Sequence, residues 1–599
     1  DLRRLPADLA VPRAASRLDF DYQLAGTLEA LRGSARLRES MVAGATIAPG
    51  TTASFSRERG VIGYSAQGAI AGLDLQQAGQ AFAIEAMAAD RFRSDLNGRF
   101  SIEGRGTEVP TMTLNASAVL ENSTLAMAKV PALQAEAHLE SGAARVRANG
   151  EFAGVDPAVL SDRNELAGEL TGRLNVEASV ADVSAPVSPE SVSASGRVEL
   201  GPSKVGSLSL DQAVAEGEFS NATAQLERVT AEGPDVEVKA SGTLALGTFG
   251  ESDLQYQLNL GNLSAIGQLA GQQQVQGSLA IEGRVTGNRT DLRTTGSVMG
   301  TNVGYGETRA LSAESTYDVQ VPDFDPAGAR ASADTRLMFA LLGGEELTRL
   351  QARTTYAAKQ LEFEGEAQQA QRQVQLAGRL VLHPDHQEVH MARFGFVTQG
   401  TEWALAPGSE PAIEYGGDQI LVEGLTLTSG PQRIEIDGTI GKTDSRMRAA
   451  LTNVDIAKLD TWLVGERRLG GVLNASARIT GPQDSLRVDA DFSIDNGSFR
   501  NFQYQSLAGT AGYTARRMSL DARLQQGPAT WLVARGTVPT SLFQPSVPGQ
   551  PAPPGADDPV DFTLQSSSID LGLVQGFTTA VDEVSGNLQA DVRVSGTAA

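Results

Sequence analysis

Residues 471–497, GVLNASARITGPQDSLRVDADFSIDNG, decide how this chain folds. Leu473, Ala475, Ala477 and Ile479 occupy every second position, with Asn474, Ser476 and Arg478 between them. After a Gly481-Pro482 break the alternation resumes at Leu486, Val488, Ala490, Phe492 and Ile494, set against Arg487, Asp489 and Asp491. A period of two is that of a strand, whose successive side chains point to opposite faces. The register is specified strongly, because a slip of one residue would turn three charges inward. The Gly-Pro pair reads as a turn, and Asn496-Gly497 as a tight hairpin. Strands joined in this way run antiparallel.

The glycine-bounded phrase of this stretch recurs. It returns as GSLAIEGRVTG at 277–287, with Leu279, Ile281 and Val285 on one parity, and as GNLQADVRVSG at 586–596, with Leu588, Val592 and Val594. Shorter copies begin at Gly68, Gly172 and Gly378. The starts, near 68, 172, 277, 378, 471 and 586, lie roughly a hundred residues apart, which marks one repetitive object over 1–599. A second phrase follows a Gly-Pro turn at 233–244, 430–440 and 527–538. It carries Val236, Val238 and Ala240 in the first copy and Ile434 and Ile436 in the second. Its Gly-Thr pair reads as the end of one strand and the start of the next. A short helix is expected ahead of the glycine phrases, at 155–160, 262–271, 453–465 and 568–577. In the third, Asp455 stands as N-cap before Ile456, Leu459 and Leu463. The run 544–559, rich in proline, reads as a surface loop. The stretch 314–366 does not fall into phase with the repeat.

Composition narrows the function. The 599 residues carry a net charge of −23, which opposes a nucleic-acid partner and suits a solvated outer face. With no cysteine there is neither a disulfide nor a thiolate metal site. No apolar run approaches the ~18–20 residues of a membrane span. The chain opens at Asp1 and ends just after a repeat phrase, so it reads as an internal fragment. The cluster HPDHQEVH places His383, His386 and His390 near Asp385 and Glu388, but Pro384 opposes a helix. A solvated strand or turn is the expectation, with no metal. Gly441-Lys442-Thr443 lacks the first glycine of a phosphate loop, because Ile436 stands in its place. No nucleophile, base and oxyanion set emerges, so neither an enzyme nor a cofactor is expected.

A sheet with one apolar face must cover that face or leave it as a groove. Small inward residues such as Ala475, Ala477 and Ala490 favour a groove over a packed core. The order of helix, glycine phrase and strand in residues 453–499, continuing into 527–539, resembles the AsmA-like family and within it the TamB group. The resemblance is best over 262–597 outside the unphased stretch, and weaker before 168. It implies a β-taco, a long antiparallel sheet curved into a trough with a hydrophobic groove. It also implies phospholipid as cargo and a place in the periplasm of a two-membrane envelope. The parent protein would be anchored in the inner membrane by an N-terminal helix absent here. It would meet an outer-membrane assembly barrel of the TamA/BamA type through a C-terminal domain also absent here. Two alternatives stand beside lipid transfer. One is a chaperone for outer-membrane protein assembly that pairs through exposed edges. The other is an extracellular β-solenoid, whose coils would be ~20–30 residues long.

Overall fold

The computed structural model describes residues 15–27, 30–81, 87, 89, 92–161, 163–269, 271, 274–370, 372–398, 401–459, 469–499, 502–514, 517–540, 558–570 and 586–597. Strands make up 74% of the structure and helices 7%, so the fold is mostly β, an antiparallel sheet not closed into a barrel. Two units divide the chain, Asp1–Glu346 and Leu347–Ala599.

The first unit is a meander in which nearly every strand pairs with its sequence neighbours. Strands Ser94–Arg105, Thr113–Leu125, Ala128–Glu140, Ala143–Val155 and Gly168–Val180 follow one another antiparallel. The same order holds from Thr223–Gly233 through Val236–Ala245, Ser252–Leu260, Val275–Gly287 and Leu292–Tyr305 to Thr308–Val321. A small hairpin, Ser203–Val205 with Leu208–Leu210, leaves the main ladder to pair with Gly168 and Glu169. The strand Glu345–Ala357 crosses the division, and from Gln360–Gln369 the second unit's meander runs on to Asp591–Thr597. The stretch 314–366, unphased in the sequence, lies in regular strands and short turns.

The Gly-Pro turns fall where expected, at 233–235, 430–431 and 527–529. The Gly-Thr pairs do not break strands: Gly242-Thr243, Gly438-Thr439 and Gly536-Thr537 lie within Val236–Ala245, Gln432–Gly441 and Thr530–Pro539. Asn496-Gly497 is also no hairpin. It is a bulge inside Arg487–Phe499, with Asn496 at φ 53°. Tight turns are made instead by pairs such as Asn221-Ala222 and Ala358-Lys359, all four at positive φ. Pattern reading credits Asn-Gly because it enters the left-handed region cheaply, but a bulge needs that conformation as much as a turn does.

Those bulges line up. Register shifts fall between Ile70 and Leu73, Asp95 and Gly98, Lys129 and Ala132, and Phe152 and Val155 on neighbouring strands. Gly72, Asn122 and Gly154 stand there at φ 70°, 47° and 72°. In the second unit Asn453, Gly471 and Asn496 mark successive strands in the same way. A bulge reverses side-chain parity and bends its strand, so a row of bulges creases the sheet. The sequence changes parity with it. Leu114, Ala116, Ala118 and Leu120 give way to Ser123 and Leu125 across Asn122, which keeps the same face supplied. Strict alternation along a whole strand, the expectation from the pattern, therefore fails at each crease.

The crease is also where burial concentrates. Leu96, Ser123, Ala128 and Val130 are buried there in the first unit. In the second unit Trp403, Leu427 and Val454 form a core with Phe394, Phe396, Leu451 and Leu473 around them. A smaller core joins Phe502, Leu524 and Ile569. Helices Pro157–Ser161, Leu263–Leu269 and Ile456–Leu459 occur as expected, and the Asp455 carboxylate accepts from the Ala457 N–H at 3.1 Å. Leu463 and the rest of that expected helix lie outside the described residues, as does 544–557 of the proline-rich run. The segment expected as a helix from Ser568 begins as a strand, Ile569–Asp570, and its remainder lies outside the described residues. Helix Leu75–Ala81, capped by the Asp74 carboxylate, went unread in the sequence.

Candidate functional site

Residues directly opposed in an antiparallel pair share a face, so register shows how far an apolar face extends. In the first unit one row runs Leu120, Leu133, Gly150, Leu174, Val198, Ala215, Val229, Ala240, Tyr256, Gly283, Gly296, Tyr317, Ala333. The row beside it passes through Val238, Leu258, Ile281 and Val298, and Leu279 and Val285 lie on the same face. In the second unit one row runs Ile436, Ala449, Ala477, Ala490, Ala511, Leu520, Gly536, Phe562. Its neighbour runs Ile434, Leu451, Ala475, Phe492, Gly509, Ala522, Ala534, Leu564. Leu473 pairs with Ile494, and Ile479 with Val488. No charged residue interrupts these rows.

The two faces of the sheet differ in exposure. Val488, Ala490, Phe492 and Ile494 are half-buried, whereas Arg487, Asp489 and Asp491 between them are exposed. Val236 is buried, and Val238 and Ala240 are half-buried. Most of the apolar face is thus screened by its own neighbours but not packed away.

Four expected residues sit differently. Leu486 ends a 3₁₀ turn ahead of its strand and is not part of the ladder. Leu588 belongs to a separate two-stranded sheet, paired with Ile569. Val592 and Val594 continue the second unit's rows opposite Leu564 and Phe562, but are 47% and 50% exposed. Among the described residues their strand, Asp591–Thr597, pairs only with Pro559–Ser566.

The opposite face is laced with cross-strand ion pairs. Arg147 donates to Glu177 at 2.8 Å, Arg197 to Glu216 at 2.8 Å, and Arg535 to Asp521 at 2.9 Å. The hydrogen bond from Arg147 holds the Glu177 carboxyl below its ordinary range. A depression of about 780 Å³ is edged by Arg228, Lys239, Gln257, Glu282 and Arg284. Lys442, in the phosphate-loop look-alike, pairs with Asp418 in a turn between strands.

Sequence reading missed the aromatic coverage of glycines. Phe55 lies against Gly33, Tyr64 against Gly104 and Tyr504 against Gly497, each where an added Cβ would meet the ring within 2.5 Å. Rings laid over glycine restore the cross-strand contact that glycine lacks. An aromatic set against Gly one or two strands away carries no local period, so only cross-strand pairing exposes it. No family model matches this chain, and no curated protein matches it.

Proposed function

We propose that the chain is a segment of a bridge-like lipid-transfer protein, conducting phospholipid acyl chains along the apolar face of its sheet. The observation that carries this reading is the set of apolar rows that no charged residue enters, half-buried and backed by a charged face. Moving a sixteen-carbon chain through water forfeits about 12 kcal/mol at ~0.8 kcal/mol per CH₂. A continuous apolar surface removes most of that barrier while the headgroup stays in solvent. Passage of this kind uses no reacting residue. The likeness of residues 453–499 and 527–539 to the TamB group extends the proposal to place and partners. The segment would stand in the periplasm of a protein anchored in the inner membrane, meeting an outer-membrane assembly barrel, and support outer-membrane biogenesis.

The test is site-specific photo-crosslinking in the parent protein. Probes at Ala477, Ala490 and Val238 should capture phospholipid, and probes at Arg478, Asp489 and Lys239 should not. Protein adducts alone at the apolar positions would replace the proposal with the chaperone reading. Lipid capture that ignores the face would remove it altogether.

A further inference from the structure

Three of the four histidines in this protein converge on one carboxylate at the hairpin between Arg372–Leu382 and His386–Thr398. Pro384 keeps residues 383–385 in a turn, closed by the His383 N–H donating to the His386 carbonyl at 3.0 Å. The turn stacks the rings of His383 and His386, centroids 4.3 Å apart and 11° from parallel. Both Nε2 atoms then face the same oxygen of Glu388, at 3.5 Å and 3.3 Å. His390 Nε2 reaches the other Glu388 oxygen at 3.1 Å. The Nε2 of His383 is buried and, among the described residues, has no hydrogen-bond partner.

We infer that His383 Nε2, His386 Nε2 and the Glu388 carboxylate bind a divalent transition-metal cation of the zinc class. A tetrahedral ion with ~2.0–2.2 Å bonds sets its donors about 3.3–3.5 Å apart, the separation of each Nε2 from the Glu388 oxygen, 3.5 Å and 3.3 Å. Asp385 Oδ1 lies 3.0 Å from His386 Nδ1. A carboxylate there keeps the proton on Nδ1 and leaves the Nε2 lone pair free for an ion, the usual outer support of a metal-bound imidazole; the two near-parallel rings turn out of their stack for both lone pairs to meet one ion. Glu414 stands across from Glu388 on the next strand and adds negative charge, while Arg379 stands across from His390 and bounds the site on that side. Imidazole with one carboxylate favours zinc, copper or nickel over calcium or magnesium.

The test is titration of Zn²⁺ into the full 599-residue chain, free of any histidine tag, at near-neutral pH. One equivalent should bind, and Co²⁺ in its place should show the visible bands of a four-coordinate ion. The double variant His383→Ala/His386→Ala should abolish saturable binding, and Asp385→Asn should weaken it roughly 10- to 100-fold. His138→Ala, at the remaining histidine, should leave it unchanged. Circular dichroism on each variant separates loss of the site from loss of the fold. Absence of saturable binding below about 100 μM Zn²⁺, or binding that survives the double variant, would overturn the inference.

Discussion

The hydroxyls of Tyr256 and Tyr317 meet at 2.5 Å, although their strands are separated by two others. The intervening strands present Gly283 and Gly296, and the two rings close over them. Thr294 Oγ1 completes the group at 2.7 Å from the Tyr256 hydroxyl. Burial and the bond to Tyr256 push the Tyr317 hydroxyl well above its usual range, so it stays neutral. This is a polar bar laid across an otherwise apolar row.

Gly296→Ala should disrupt that bar. Its Cβ would stand 2.1 Å from the Glu282 carbonyl oxygen and 2.5 Å from the Tyr317 hydroxyl. A cost of about 1–3 kcal/mol in chemical denaturation is expected, as for overpacked positions. Tyr317→Phe should cost about 1 kcal/mol, the worth of one hydrogen bond, because Thr294 still serves Tyr256.

At the crease of the second unit the Asn453 N–H, freed from the ladder by its bulge, donates to Asn474 Oδ1 at 2.8 Å. Asn474→Ala should cost roughly 1–2 kcal/mol by leaving that N–H without its acceptor. Asn453 stands at φ 55°, so Asn453→Gly should be near neutral and Asn453→Val clearly destabilising. Equal effects from the glycine and valine variants would remove the left-handed backbone as the cause.

Trp403, 1% exposed, stacks on Phe396 with centroids 6.3 Å apart. Trp403→Ala should cost about 3–5 kcal/mol. Hydrogen exchange should show the loss in Gln419–Ser429 and Arg446–Asp455, which carry Leu427 and Val454 of the same core.

On the apolar face, Val488→Asp would set a carboxylate between Ile479 and Tyr513, at an expected cost of roughly 1–3 kcal/mol. Asp489→Asn, one residue on, weakens only exposed contacts, the pair with Arg487 and the attraction of the facing Arg478, and should change stability by less than about 0.5 kcal/mol. Thermal melts of the two variants side by side test which face is which.

Acid should loosen the charged face first. Arginine partners lower Glu177, Glu199, Asp253 and Asp489 in the folded state. A depressed folded pKa gives stability that is present above the unfolded value and lost as pH falls through the folded one. Melting temperature should therefore hold near neutrality and fall below about pH 4, and added salt should reduce the difference. A melting temperature that rises on acidification would contradict this ordering.

The strand content, the antiparallel pairing and the identity of the apolar face were legible from residues 471–497 and their repeats. Each rests on a local period, and the backbone converts a period of two directly into two faces. Asn496-Gly497 was legible only as a need for left-handed backbone, since the same conformation serves a turn or a bulge and the neighbouring strand selects between them. The crease, the rings over Gly104 and Gly283, and the core at Trp403 join residues on different strands, so no window of sequence contains them. The His383, His386 and Glu388 cluster lies between these cases. Its residues are adjacent in the sequence, yet their convergence required Pro384 to close the turn and stack the two rings. Alternation determined which face each strand offers up to its bulge; tertiary pairing decided where strands bend, what packs there and which polar groups meet.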